Sequence, residues 1–183
     1  MAKVMKWASV VFLILAAVWI GLYLLGMKWA LPFAITFGTC FYHFAMRLLV
    51  GYSLQAIMEN RANYRKAWYQ LRPFEAKLYQ ILKVKKWKGY MPTFDPTFFD
   101  TKLHSWDEIA QAMCQAEIVH EVIVILSFLP LFAAFLFGAF PVFLVTSLLA
   151  AGYDLSFVIM QRFNRPRIQR FIEKEGLLQN AEF

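Results

Sequence analysis

Residues 140–167 read FPVFLVTSLLAAGYDLSFVIMQRFNRPR. From Phe140 to Met160 the run holds one charged side chain, Asp154. It is as long as the roughly 20 residues that cross a hydrocarbon core. It then gives way to Gln161-Arg162-Phe163-Asn164-Arg165-Pro166-Arg167, so this stretch reads as a membrane-spanning helix that leaves the bilayer on a basic cluster.

Three more stretches, at about residues 7–26, 29–52 and 113–137, reach or approach the same length as the one at 140–161. The chain is 60% hydrophobic over 183 residues, with 19 Phe and 6 Trp. A soluble domain of that size has too little polar surface to cover so much apolar material. The first run follows Lys3 and Lys6 as a signal peptide would. It lacks a small-x-small cleavage site and a second run follows closely, so it is expected to be retained. The expected fold is all-α: one integral-membrane domain over 1–183, with four transmembrane helices in two hairpins. An amphipathic helical segment at 53–112 and a tail at 162–183 complete it.

Ten Lys and Arg lie between the second and third runs and five follow the fourth. Lys28 alone separates the first two runs, and none separates the last two. That asymmetry places both termini and the central segment in the cytoplasm, with short loops near Met27 and Gly138 outside. The net charge of +7 then reads as attraction to an anionic leaflet, not to nucleic acid. Cys40 and Cys114 carry no disulfide pattern.

In the central segment Tyr64, Trp68, Leu71, Phe74 or Glu75, Leu78 and Leu82 recur at three- and four-residue steps. The spacing predicts a helix from about Glu59 to Lys83, with Pro73 kinking it or starting a second one. Its many bases suit either a helix in the headgroup layer or one packed on the end of the bundle. Lys83-Val84-Lys85-Lys86-Trp87-Lys88-Gly89 is a cationic patch around an aromatic, fit for donor phosphates or lipid headgroups. Pro92-Thr93-Phe94-Asp95-Pro96 reads as a turn-rich loop. Ser105 and Glu108 form a capping box that opens a helix running into the third span.

Ionisable groups inside spans usually face the bundle interior and are candidates for function. His43 and Arg47 stack one turn apart in the second run, and Glu117, His120 and Glu121 share one face of the third. Asp154 and Gln161 lie two turns apart in the fourth. At about 1.5 Å per residue, all fall within roughly 12 Å of the cytoplasmic ends of their runs. A layer of this kind is either a catalytic site or an ion-pair network, Arg47 pairing with Asp154 or a glutamate. Glu-x-x-His also suits a metal, but di-iron bundles need two such motifs and this chain has one. No metal is expected. There is no Gly-rich phosphate loop, Gly-x-Ser-x-Gly elbow or Cys-x-x-Cys, and no cofactor is expected either.

Three segments in order, Lys86-Trp87-Lys88, Ala116-Glu117-Ile118-Val119-His120 and Gln161 to Arg167, resemble the glycosyl-4,4'-diaponeurosporenoate acyltransferases. The likeness covers about residues 74–170. It implies a bacterial cell-membrane enzyme of staphyloxanthin-type carotenoid synthesis that esterifies a sugar hydroxyl of a membrane-embedded glycolipid. Tyr42-His43-Phe44-Ala45-Met46-Arg47 has no counterpart in the carotenoid enzyme and the loop after Trp87 differs from it, which leaves the acceptor open.

Residues and resemblance together lead to an acyltransferase with His120 as general base, oriented by Glu117, and His43 as second choice. Arg47 or Asn164 would stabilise the oxyanion, and Asp154 completes the catalytic candidates. Gln161, Arg162, Asn164, Arg165 and Arg167, with Lys85, Lys86, Trp87 and Lys88, would bind the acyl-CoA or acyl carrier protein donor. Two rivals stand beside this reading. One is a non-catalytic membrane subunit; the other is a metal-dependent lipid oxidase or hydrolase with Glu117 and His120 as ligands.

Overall fold

The computed structural model describes residues 2–93 and 95–181, apart from the side chains of residue 2 and residues 177–181. Phe94 of the expected loop and the last two residues of the expected tail lie outside the described residues. Every regular element among the described residues is helical: α1 (Ala2–Leu24), α2 (Leu31–Met58), α3 (Pro73–Ile81), α4 (Val84–Trp87), α5 (Trp106–Leu126), α6 (Ala134–Phe137) and α7 (Phe140–Ala181). Four segments, Lys3–Leu24, Lys28–Met58, Trp106–Phe137 and Phe140–Gly176, are long and apolar enough to cross a membrane.

The chain divides into two compact units, Met1–Ser53 with Val122–Asp154 and Leu54–Glu121 with Leu155–Phe183. In the first, α1 and α2 meet through aromatic rings. Phe12 stacks on Phe44 at 5.5 Å between centroids and Trp19 on Phe33 at 4.5 Å. Partners fall in number along α2 as they rise along α1, the order of antiparallel helices. Gly26, at φ 94°, ends α1 in a conformation that only glycine adopts without strain.

The third apolar run is not one continuous helix. α5 ends at Leu126, and a 3-10 segment, Leu129–Ala133, precedes α6. Pro130 has no N–H to give to the carbonyl four residues back, that of Leu126. The Tyr42 hydroxyl donates to that carbonyl at 2.8 Å and so replaces the missing bond.

In the second unit the expected helix over 59–83 is absent from its first half. Glu59 and Asn60 have φ of 48° and 58° and end α2. Asn60 N–H donates to the Gln115 side chain at 2.6 Å, and Gln115 donates to Gln55 at 2.5 Å, fastening the turn. Residues 61–72 hold only a short 3-10 segment, Ala67–Tyr69, and Pro73 opens α3 at the position where a missing N–H costs nothing. The capping box at Ser105 forms as expected: Ser105 N–H donates to Glu108 at 2.8 Å, and Glu108 N–H to the Ser105 hydroxyl at 3.3 Å. The core gathers Ala62, Tyr64, Tyr69, Ala110 and Cys114, with Ile168 and Ile172 against them.

α7 does not stop at Gln161. It runs to Ala181 with Pro166 in its interior. At about 1.5 Å per residue it is roughly 60 Å long, about twice a hydrocarbon core. The basic cluster therefore lies within the helix, not at its end.

Candidate functional site

The second unit is organised around two acids and two arginines. Glu117 on α5 is fully buried, and Arg165 on α7 is 1% exposed. Arg162 donates from Nη1 to Glu117 at 2.6 Å, and Arg165 Nη2 donates to the other oxygen of Glu117. Arg162 also grips Glu75 with two bonds, from Nε at 2.6 Å and Nη2 at 3.0 Å. Being three apart in α7, the two arginines present their side chains on one face.

The same guanidiniums reach the irregular segment before α3. Arg162 donates to the carbonyls of Trp68 at 2.9 Å and Gln70 at 3.1 Å, and Arg165 to that of Tyr69 at 2.8 Å. All five N–H donors of Arg162 are thereby used. This explains why residues 68–70 are not α-helical: in an α-helix these carbonyls would be turned toward N–H groups four residues on. Glu75 further accepts from Arg72 N–H at 2.7 Å and from the Tyr79 hydroxyl at 3.2 Å. Burial alone would raise the Glu75 carboxyl, but the Arg162 and Arg72 donors hold it below its ordinary value. Tyr79 is pushed up to about 12 by burial and the neighbouring Glu75 charge.

These contacts correct one expectation. Of the three arginines two were expected exposed; Arg162 and Arg165 are buried and their anions are the protein's own carboxylates, while Arg167 is exposed. Glu117 was expected to orient His120; both of its oxygens accept from guanidiniums. His120, one turn further along α5, is half-buried and lies flat on Phe157, with centroids 4.4 Å apart and planes at 5°. Glu121 accepts from the Trp68 indole at 3.2 Å. Among the described residues no three His, Cys, Asp or Glu side chains converge as a metal site would require.

A second feature of this unit is cationic. Lys88 donates to the Asn164 carboxamide oxygen and sits 4.8 Å from the Phe163 ring centroid. Arg167 lies 5.7 Å over Phe171. Burial first, then the neighbouring Arg167 and Lys85 charges, hold the Lys88 ammonium below its ordinary value. Trp87 donates to the Leu82 carbonyl at 3.0 Å, and Lys85 and Lys86 are exposed. The three segments singled out in the sequence thus meet in one unit, Lys88 on Asn164 and Glu117 on Arg162 and Arg165. Gln161 is buried there as well.

His43, Arg47 and Asp154 belong to the other unit. Arg47 pairs with Asp154 and donates to the carbonyls of His43 at 2.7 Å and Ala150 at 3.2 Å. The ion pair between Arg47 and Asp154 is thus present. Three bonds thus hold the Arg47 guanidinium, the group expected to stabilise an oxyanion. His43 is buried, and neither ring nitrogen has a hydrogen-bond partner among the described residues.

The model of the glycosyl-4,4'-diaponeurosporenoate acyltransferase family matches residues 65–174. The chain belongs to this family. It is accordingly an acyltransferase of carotenoid biosynthesis, and the matched residues contain all three motif segments, the arginine–glutamate cluster and the Lys88–Asn164 contact. His43 and Arg47 fall outside the match. No curated protein and no solved structure matches the chain.

Glu75 escaped the sequence reading, as did the carbonyls of residues 68–70. Periodicity allowed either Phe74 or Glu75 on the buried face; the structure buries Glu75, 8% exposed, and leaves Phe74 60% exposed. One signal was available. Glu75 is the lone acid among nine bases between Arg61 and Lys88.

Proposed function

We propose that the chain transfers an acyl group from an anionic thioester carrier, acyl-CoA or acyl carrier protein, to a sugar hydroxyl of a membrane glycolipid at the cytoplasmic face. His120 acts as general base. It takes the hydroxyl proton while the oxygen attacks the thioester carbonyl, and the C–S bond then breaks. The imidazolium returns the proton to the departing thiolate, so the histidine ends as it began. The amide N–H of Asn164, whose oxygen is occupied by Lys88, is the donor offered to the developing oxyanion. Lys85, Lys88 and Arg167 hold the carrier's phosphate. Arg162 and Arg165 position these groups without touching substrate.

One observation favours His120 over the other two histidines. It lies inside the matched residues, half-buried, one turn of α5 from Glu117, whose carboxylate is held by two arginines. His104 is also inside the match but pairs with Glu108 at 3.6 Å at the exposed start of α5, and His43 lies outside it.

Thiol release from acyl-CoA by the reconstituted protein, with a glycosyl carotenoid acid as acceptor, tests the assignment. His120→Ala should lower the rate by about 10²–10⁴-fold at unchanged thermal stability. His43→Ala should leave it near wild type. Full activity in the His120 variant would overturn the role, and loss in the His43 variant alone would move it there.

A further inference from the structure

The segment between the second and third spans carries an apolar surface that the acyl-transfer reading does not use. In α3, Phe74 is 60%, Leu78 40% and Ile81 75% exposed. At 100° per residue these three fall on one stripe, and Glu75 and Tyr79, both buried, lie roughly 110° round the helix from it, Glu75 bonded to Arg162 and Tyr79 to Glu75. The ion pairs thus hold the polar face of α3 inward and turn its apolar face outward, the reverse of a helix that stabilises itself by burying its hydrophobes in the protein. Tyr90, 87% exposed, extends the surface past α4.

Lysines surround this surface. Lys77, Lys83 and Lys86 are exposed, and none is in an ion pair among the described residues. An apolar stripe, an exposed aromatic and unpaired lysines are the complement of an anionic headgroup layer, with acyl chains beneath and phosphates above. The segment is continuous in sequence with spans on both sides, α2 ending at Met58 and α5 starting at Trp106, so it has no freedom to leave the vicinity of the bilayer.

We propose that α3 is an interfacial anchor, seated in an anionic membrane surface with Phe74, Leu78 and Ile81 among the acyl chains and Lys77, Lys83 and Lys86 on the lipid phosphates. The proposal does not depend on the acyl-transfer chemistry. Its consequence is positional: Lys88 and Arg167 are kept near the lipid–water boundary, where a water-borne carrier meets a lipid acceptor.

A nitroxide on Ile81→Cys in the full chain tests this, with the protein reconstituted in phosphatidylglycerol–phosphatidylcholine vesicles and the signal of Cys40 and Cys114 subtracted from an unsubstituted control. The label should collide with oxygen several-fold more readily than with a water-soluble nickel chelate, unlike a label at the exposed Arg61. Adding Lys77→Gln, Lys83→Gln and Lys86→Gln should shrink that ratio. A ratio equal to that at Arg61 would overturn the anchor. Protection from both reagents would overturn it too, showing a second copy or another protein over the face. An undiminished ratio in the triple variant would remove the anionic lipid from the account.

Discussion

The two units each bury ionised groups, but they use them differently. In one, Arg47 spans between α2 and α7, meeting Asp154 and two helical carbonyls. In the other, Arg162 and Arg165 meet two carboxylates and three carbonyls of a segment that has only one 3-10 turn and no α-helix. A helix satisfies its own carbonyls, so the first pair adds only electrostatics to packing already in place. The irregular segment cannot do so, and there the guanidiniums replace the missing ladder. A buried charge that does that work should be much harder to remove.

The largest effect is therefore expected at Glu117. Glu117→Gln leaves two buried guanidiniums with only Glu75 opposite them, and should cost about 3–5 kcal/mol in thermal unfolding of the purified protein. Asp154→Asn, which strands one guanidinium, should cost less. Replacing both members of a pair sharpens the contrast. Arg47→Met with Asp154→Leu should recover most of the single variant's loss, as apolar substitutes for buried pairs often do. Arg162→Met with Glu75→Leu should not, because the Trp68 and Gln70 carbonyls lose their donors. Recovery in both units would erase the distinction.

A smaller effect is expected with pH. The folded-state value of the Glu75 carboxyl lies below its ordinary one, so its contribution is complete above about pH 4.3, the ordinary glutamate value. It is lost as pH falls through the folded-state value. Hydrogen-exchange protection around residues 68–72 should decline in that acid range in wild type and be already low at neutral pH in Glu75→Gln. Protection in wild type that stays level through acidification would break the link.

The units also differ in how much of them the sequence made legible. The four apolar runs and the Ser105–Glu108 cap rest on local composition or on spacing within a helix, and both can be read from neighbours in the chain; the pairing of Arg47 with Asp154, 107 residues apart, was one of two options offered by their shared depth. The irregular backbone at 68–70 rests on arginines at 162 and 165, which no local pattern connects to it. The same contact hid the length of α7: a polar break at Gln161 ends the hydropathy signal, while burial of Arg162 and Arg165 against Glu117 lets the helix continue. Pro130 stood in plain sight, yet its effect depended on Tyr42 being placed to take the carbonyl it leaves open. Apolar periodicity could not choose between Phe74 and Glu75, because the buried face of α3 is polar.

The central claim is a division of labour inside Gln161–Arg167, with Arg165 holding the protein together and Arg167 holding the donor. Thermal stability and acyl-CoA affinity measured side by side on Arg165→Ala and Arg167→Ala test it most directly. Arg165→Ala should lose several degrees or more in melting temperature, with unchanged affinity in the protein that remains folded. Arg167→Ala should melt like wild type and bind acyl-CoA roughly tenfold or more weakly, the loss of one charge-assisted contact. Weakened donor binding in Arg165→Ala at wild-type stability would contradict the account.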